Sequence, residues 1–278
     1  LHVPEAHQRA RNPDLAFRVG EISGNELSDI GFNLIFGPSL DVLENPLLQA
    51  ASQLGTRSFG GDPYWVGEMG RAYIRGLHQG SSGRLAVVGI HFPGLGSADR
   101  VPVEEVATVR KSLEQLKQIE LAPFFSVTGN VITDTEKVDA LLTSHIRYQG
   151  LQGNIRSTTR PVGFDQQALN LLMELPPFSS WRENGGVMIS DDLGKRAVRR
   201  FYDPTEQEFN ARRLALDAFL AGNDILYLNN FIEADDPDSY TTIVRTLDFF
   251  TQKYSEDPLF AERINQSVYR ILSLKKNL

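Results

Sequence analysis

The sequence predicts an α/β fold built on a parallel sheet, and three observations carry that reading. Five short apolar runs, at residues 32–36, 85–90, 141–146, 186–190 and 224–228, are rich in Val, Ile, Leu or Phe without strict alternation. That pattern suits strands buried on both faces. Helical patterns separate the runs, and strand alternating with helix along a chain means a parallel sheet. The fourth run, Gly186-Val-Met-Ile-Ser, then stops abruptly at two adjacent carboxylates, Asp191 and Asp192. In a barrel of parallel strands the C-terminal strand end is where chemistry sits.

The elements follow in order. The first two runs deliver Phe36 and Ile90 to loops beginning Gly37-Pro38 and His91-Phe-Pro. Val106, Val109, Leu113 and Leu116 repeat at helical spacing and predict a helix with one apolar stripe. Glu104 and Glu105 then read as acids in its first turn, where the helix dipole favours them. The third run delivers His145, and the fourth delivers Asp191. A helix is predicted over 206–221, with Gly222 as its terminating glycine, and the fifth run follows. A last amphipathic helix over Pro258–Lys276 ends in Lys275 and Lys276. The units exceed a minimal strand–helix–strand, so the loops are substantial, and long loops in such folds carry function.

Composition narrows the function. The 278 residues are 41% hydrophobic and 23% charged, enough for one large domain, and a single α/β barrel is about this size. The net charge of −7 and the lack of a basic tract with interleaved aromatics argue against a nucleic-acid partner. With no cysteine, disulfides, thiolate catalysis and cysteine-based zinc sites are excluded. No run approaches the roughly 20 apolar residues of a membrane span. The chain starts at Leu1 rather than Met. A cytoplasmic and a cell-envelope home both stay open, as do a removed leader and the oligomeric state.

Seven segments in series, at residues 36–42, 54–63, 91–94, 120–124, 143–146, 189–193 and 221–224, together resemble the N-terminal barrel domain of glycoside hydrolase family 3, in the flavour of its bacterial β-N-acetylglucosaminidase branch. Phe36-Gly-Pro-Ser-Leu-Asp-Val42 is similar to the family's FAPVLDV strand end, and Leu54-Gly-Thr-Arg-Ser-Phe-Gly-Gly-Asp-Pro63 to its IGxRSFGxDP loop. His91-Phe-Pro-Gly94 resembles KHFPGHG, Glu120-Leu-Ala-Pro-Phe124 resembles ELxPF, and Thr143-Ser-His-Ile146 resembles TAHI. Ile189-Ser-Asp-Asp-Leu193 resembles (I/F)SDDL, and Ala221-Gly-Asn-Asp224 resembles AGAD. The resemblance implies a (β/α)8 TIM-barrel type fold for a single domain over residues 1–278. The family's first βα units have no evident counterpart ahead of Asn12-Pro-Asp-Leu.

The resemblance also implies roles. Asp191 matches the nucleophile, which forms a glycosyl-enzyme ester that water then cleaves. Arg57, His91 and His145 match residues that line the sugar pocket. The residues alone leave blander readings open. Asp191 or Asp192 suits a helix cap, Arg57 suits an ion pair with Asp62 or Asp41, and each histidine suits a satisfied core position.

The departures bear on activity. The family's sugar-binding Lys is Ile90 here, and the second His of its GHG is Leu95. Its next loop carries Asp-Ser-His, whose His is the acid/base. Here that loop reads Ser97-Ala-Asp-Arg-Val-Pro102, so the resemblance implies Asp99 as a candidate remnant of the acid/base loop, and no His follows in this loop. Asp99, Glu104 and Glu105 are the substitutes if the loop folds inward. The resulting expectation is a retaining glycoside hydrolase, β-N-acetylhexosaminidase-like, acting on terminal amino-sugar glycosides with no metal or organic cofactor. Without the loop histidine, activated aryl glycosides should turn over slowly and natural ones little. The alternative is a catalytically impaired barrel that binds carbohydrate or serves in assembly.

Overall fold

The computed structural model describes residues 11–45, 54–129, 133–205, 207–276 and 278. Four strands form one parallel sheet in the order β1 (Leu34–Ser39), β2 (Ala86–Phe92), β4 (Ala140–Thr143), β6 (Val187–Ser190). They overlap four of the five predicted runs. The fifth run is not a strand: it meets β6 only through an isolated parallel bridge between Ile189 and Ile225. The reason lies in its hydrogen bonds. Ser190 N donates to Ile225 O, but Tyr227 N then turns to the Ser190 hydroxyl, and Leu193 N reaches Tyr227 O from the loop beyond β6. The chain runs alongside β6 without completing a ladder.

The helices are α1 (Pro13–Asp29), α2 (Pro63–Gly80), α3 (Leu113–Gln118), α4 (Ala122–Thr128), α5 (Gln149–Gln152), α6 (Gln166–Met173), α7 (Pro176–Glu183), α8 (Arg196–Tyr202), α9 (Ala211–Ala221), α10 (Ser239–Glu256) and α11 (Pro258–Lys276). The predicted helix through Val106 and Val109 is replaced by a two-residue strand, β3 (Thr108–Val109), paired in parallel with β5 (Arg147–Tyr148). The helix starts only at Leu113, where Ser112 and Gln115 form a reciprocal capping box. The β-branched Thr108 and Val109 ahead of it favour the extended pairing. Glu104 and Glu105 therefore sit in a turn, not at a helix start. The helix expected over 206–221 begins at Ala211, capped by Asn210, and ends at Gly222 in a positive-φ conformation.

Side chains alternate across the sheet as the period of two requires. Val87, Leu141 and Met188 face the outer helices and join the main core with Ile74, Leu77 and Phe124. Val88, Ala140, Leu142, Val187 and Ile189 face the other way, joined by Leu34, Ile90 and Ile225, and by Leu274 from α11. The sheet is strongly curved. In a flat sheet β1 and the segment at Ile225 stand four strand spacings apart, roughly 19 Å. Yet the Phe36 and Tyr227 rings, at these two edges, have centroids 5.7 Å apart. The sheet curls as a barrel wall does, with the second apolar cluster on its concave side. Outside it, α1 crosses α2 at backbone contact: a Cβ added at Gly24 would sit 2.3 Å from Leu77 O, and one at Gly80 1.9 Å from Glu21 O.

Candidate active site

The parallel register carries the C-terminal ends of β1, β2, β4 and β6 to one rim, and the loops leaving them enclose a cleft of about 170 Å³. Arg57, His91, His145 and Asp191 line it together, with Leu95, Pro102, Val103 and Lys195. Asp99 is not among the lining residues.

Asp191 follows β6 directly. Its Oδ1 accepts from Asp192 N at 2.8 Å, and its Oδ2 meets Lys195 Nζ. Burial pushes its carboxyl up, but the Lys195 ammonium, aided by His145 and His91, outweighs this and holds it below the ordinary carboxylate range. Asp191 is thus an ionised acid lining the cleft. Asp192 points elsewhere. Its Oδ1 accepts from Gly194 N at 2.9 Å and Asn229 N at 3.1 Å, tying the loop after β6 to the segment after Ile225. Burial raises its carboxyl. Neither acid caps α8, whose N-cap is Lys195 without a side-chain cap bond.

The two histidines differ. His145 is fully enclosed and stacks on Phe164, with ring centroids 4.5 Å apart. Its Nε2 donates to Asp191 O at 2.9 Å, and its buried Nδ1 has no hydrogen-bond partner among the described residues. Nδ1 faces Gly163, where a Cβ would come within 2.7 Å of it. Burial lowers the His145 pKa to about 4, so the ring is neutral at neutral pH. It fixes the backbone beneath the Asp191 carboxylate. His91, at the end of β2, bonds through Nδ1 to Asp41 Oδ2 at 2.8 Å. Asp41 is wholly buried and also accepts from Leu95 N at 2.8 Å and the Ser39 hydroxyl at 2.7 Å. Burial raises the Asp41 carboxyl, but His91 and these donors bring it below its ordinary value.

Arg57 closes a 3₁₀ turn over Gly55–Arg57 and reaches the cleft from the β1 side. The acids proposed for it are engaged elsewhere: Asp41 with His91, and Asp62 as the N-cap of α2. The loop from Ser97 to Thr108 turns its acids away from the cleft. Asp99 Oδ1 accepts from Thr108 N at 2.8 Å and Arg100 Nε at 3.2 Å. Burial lifts its carboxyl, but the Thr108 N–H and the arginines bring it below its usual value. Glu104 pairs with Arg196 at 3.1 Å and Glu105 with Arg100 at 2.9 Å, both near solvent. Pro102 and Val103 are what this loop contributes to the lining.

Lys195 was not singled out from the sequence, and Asp41 was named only as an ion-pair partner for Arg57. An i, i+4 spacing after Asp191 was the available signal for Lys195, but it means contact only if the intervening loop turns as a helix does. No group of three or more His, Asp or Glu side chains able to hold a metal occurs among the described residues.

Comparison with known proteins matches this architecture. Residues 3–274 match the model of the Glycosyl hydrolase family 3 N terminal domain. A beta-hexosaminidase of Pseudomonas aeruginosa (strain LESB58) is 27% identical over 227 residues, covering 81% of this chain and 61% of that protein. One from Tolumonas auensis is 30% identical over 218 residues, covering 78% and 58%. The chain thus spans about six tenths of these curated relatives. Among solved structures, a glycoside hydrolase family 3 beta-N-acetylglucosaminidase from Paenibacillus sp. str. FPU-7 superposes with a TM-score of 0.77 at 27% identity, over 96% of this chain and 44% of that one. The beta-N-acetylhexosaminidase from Beutenbergia cavernae shares the fold with a TM-score of 0.74 at 21% identity, over 98% and 71%. With its curled parallel sheet, its acid-bearing rim and a family match over nearly its whole length, the chain belongs to glycosyl hydrolase family 3.

Proposed function

We propose that the chain carries the catalytic cleft of a retaining glycoside hydrolase acting on terminal N-acetylhexosaminides, with Asp191 as the nucleophile. The observation that supports this most is the Asp191 carboxylate itself, ionised at the end of β6 and enclosed by the cleft that His91, His145 and Arg57 line. An ionised carboxylate attacks an anomeric carbon, whereas a protonated one does not, so the charge on Lys195 that keeps Asp191 ionised favours the chemistry. Arg57 offers forked donors to sugar oxygens. The relatives' names, beta-hexosaminidase and beta-N-acetylglucosaminidase, point to an amino sugar.

One observation favours a second reading, a carbohydrate-binding or assembly role. Lys195 pairs with Asp191, and among the described residues no second carboxylate lines the cleft. Release of chromophore from an aryl N-acetyl-β-glucosaminide decides between them. Turnover by the wild-type chain that disappears in Asp191→Asn supports the enzyme. Binding of N-acetylglucosamine with no turnover supports the second reading. Among the described residues no helix is long and apolar enough to cross a membrane.

A further inference from the structure

We infer that His91, oriented by the buried carboxylate of Asp41, is the proton donor of this site. The inference rests on the glycosidase reading and supplies what the altered loop lacks. Among the described residues the nearby alternatives are spent. Asp99 is held by Thr108, Arg100 and Arg110, and Glu104 and Glu105 pair with arginines near solvent. Asp192 is bound to the backbone of Gly194 and Asn229. His145 donates its Nε2–H to a carbonyl and buries its Nδ1 against Gly163. His91 has neither constraint. Its Nδ1 is committed to Asp41, which leaves Nε2, on the far side of the ring, for the cleft that the ring lines with Asp191.

The Asp41–His91 contact does what such a pair does in proton transfer. A carboxylate on Nδ1–H fixes one tautomer and stabilises the imidazolium when it forms. Histidine is also the side chain that exchanges protons near neutral pH. The steps balance. An Asp191 oxygen bonds to the anomeric carbon as the glycosidic C–O bond breaks. The departing oxygen takes the electron pair and the proton from His91 Nε2–H, leaving a glycosyl ester and a neutral imidazole. Water then attacks the anomeric carbon, His91 Nε2 takes its proton, and the Asp191 carboxylate leaves with the electrons of the ester bond. The sugar hemiacetal is released and the imidazolium is restored.

The experiment is a leaving-group series of aryl N-acetyl-β-glucosaminides, from dinitrophenyl to methoxyphenyl, assayed on wild type, His91→Ala, His91→Gln, Lys195→Met and Asp191→Asn, each checked for folding by its melting transition. The expected result is a His91→Ala rate within about tenfold of wild type on the dinitrophenyl glycoside and lower by roughly 10²–10⁴-fold on the methoxyphenyl one. Loss of the alkaline limb of the pH profile should accompany it, and His91→Gln should behave alike. Equal loss across the series would make His91 a binding residue and overturn the assignment. So would a selective loss in Lys195→Met with His91→Ala flat. If Asp191→Asn is inactive while His91→Ala is flat, only this assignment falls. If Asp191→Asn matches wild type, or wild type turns over nothing, the glycosidase reading falls with it.

Discussion

Asp191 and Asp224 sit at opposite ends of the barrel wall, one just after β6 and one just ahead of the bridge at Ile225. Each is a buried carboxylate held below its ordinary value. Asp224 is saturated. Arg182 grips both its oxygens, Arg263 reaches it at 3.2 Å, the Ser267 hydroxyl donates at 2.7 Å and Met188 N at 2.9 Å. Among the described residues Asp191 has one ammonium and one backbone N–H. The saturated acid ties α7 and α11 to the sheet and has no lone pair to spare. The under-coordinated one keeps electron density for a ligand, and charge held that way costs stability.

The comparison breaks most sharply by substitution. Asp191→Asn should abolish turnover of an aryl N-acetylglucosaminide while leaving the melting temperature near or above that of wild type. Asp224→Asn should do the reverse. It leaves Arg182 and Arg263 with an uncompensated buried charge, a loss of roughly 3–5 kcal/mol. That corresponds to a fall of about 6–20 °C in calorimetry, with the activity per folded molecule retained. A melting temperature unchanged by Asp224→Asn would show that its contacts are not structural.

A smaller effect concerns His145. Its folded pKa of about 4 lies below the unfolded value near 6.5. The unfolded chain therefore binds the proton first, and stability drains as pH falls from 6.5 to 4, by up to roughly 1.4 kcal/mol per unit. His145→Gln should flatten that part of the wild-type curve of melting temperature against pH. Parallel curves for the two proteins would refute a buried neutral ring. His78 works in the opposite window. Burial lowers it, but Asp139 outweighs this and raises it, so its contribution is lost only as pH climbs through the raised value. The smallest change is expected in Lys195→Met, where the acid limb of the kcat/KM profile should move to higher pH, since Lys195 is what offsets the burial of Asp191. A stationary limb would detach Lys195 from the Asp191 charge.

The two ends also differ in how far they could be read from sequence. The rim was legible in part: the apolar run of β6 gives way to carboxylates at one residue, whereas the pattern left His91 and His145 open as core positions and the resemblance to the family placed them in the pocket. The Asp224 end was not. Its partners lie 36 to 46 residues away in other elements, and nothing local in Ala221-Gly-Asn-Asp224 announces three arginines. The misread helix through Val106 has a similar origin. Spacings of three and four fit a helix, but pairing of Thr108 and Val109 with a distant strand overrode them. Asp192 tying a loop, rather than capping a helix, was likewise set by Asn229.

The Phe36–Tyr227 ring contact makes the curvature of the wall a property with a gauge. The two rings sit on the edges of the sheet, so an event that flattens or tightens the wall changes their separation. Because the chain contains no cysteine, thiols introduced at these two positions are the sole attachment points for a pair of spectroscopic labels. The breathing of the wall, and its response to a sugar in the cleft, then become a distance distribution measured in solution.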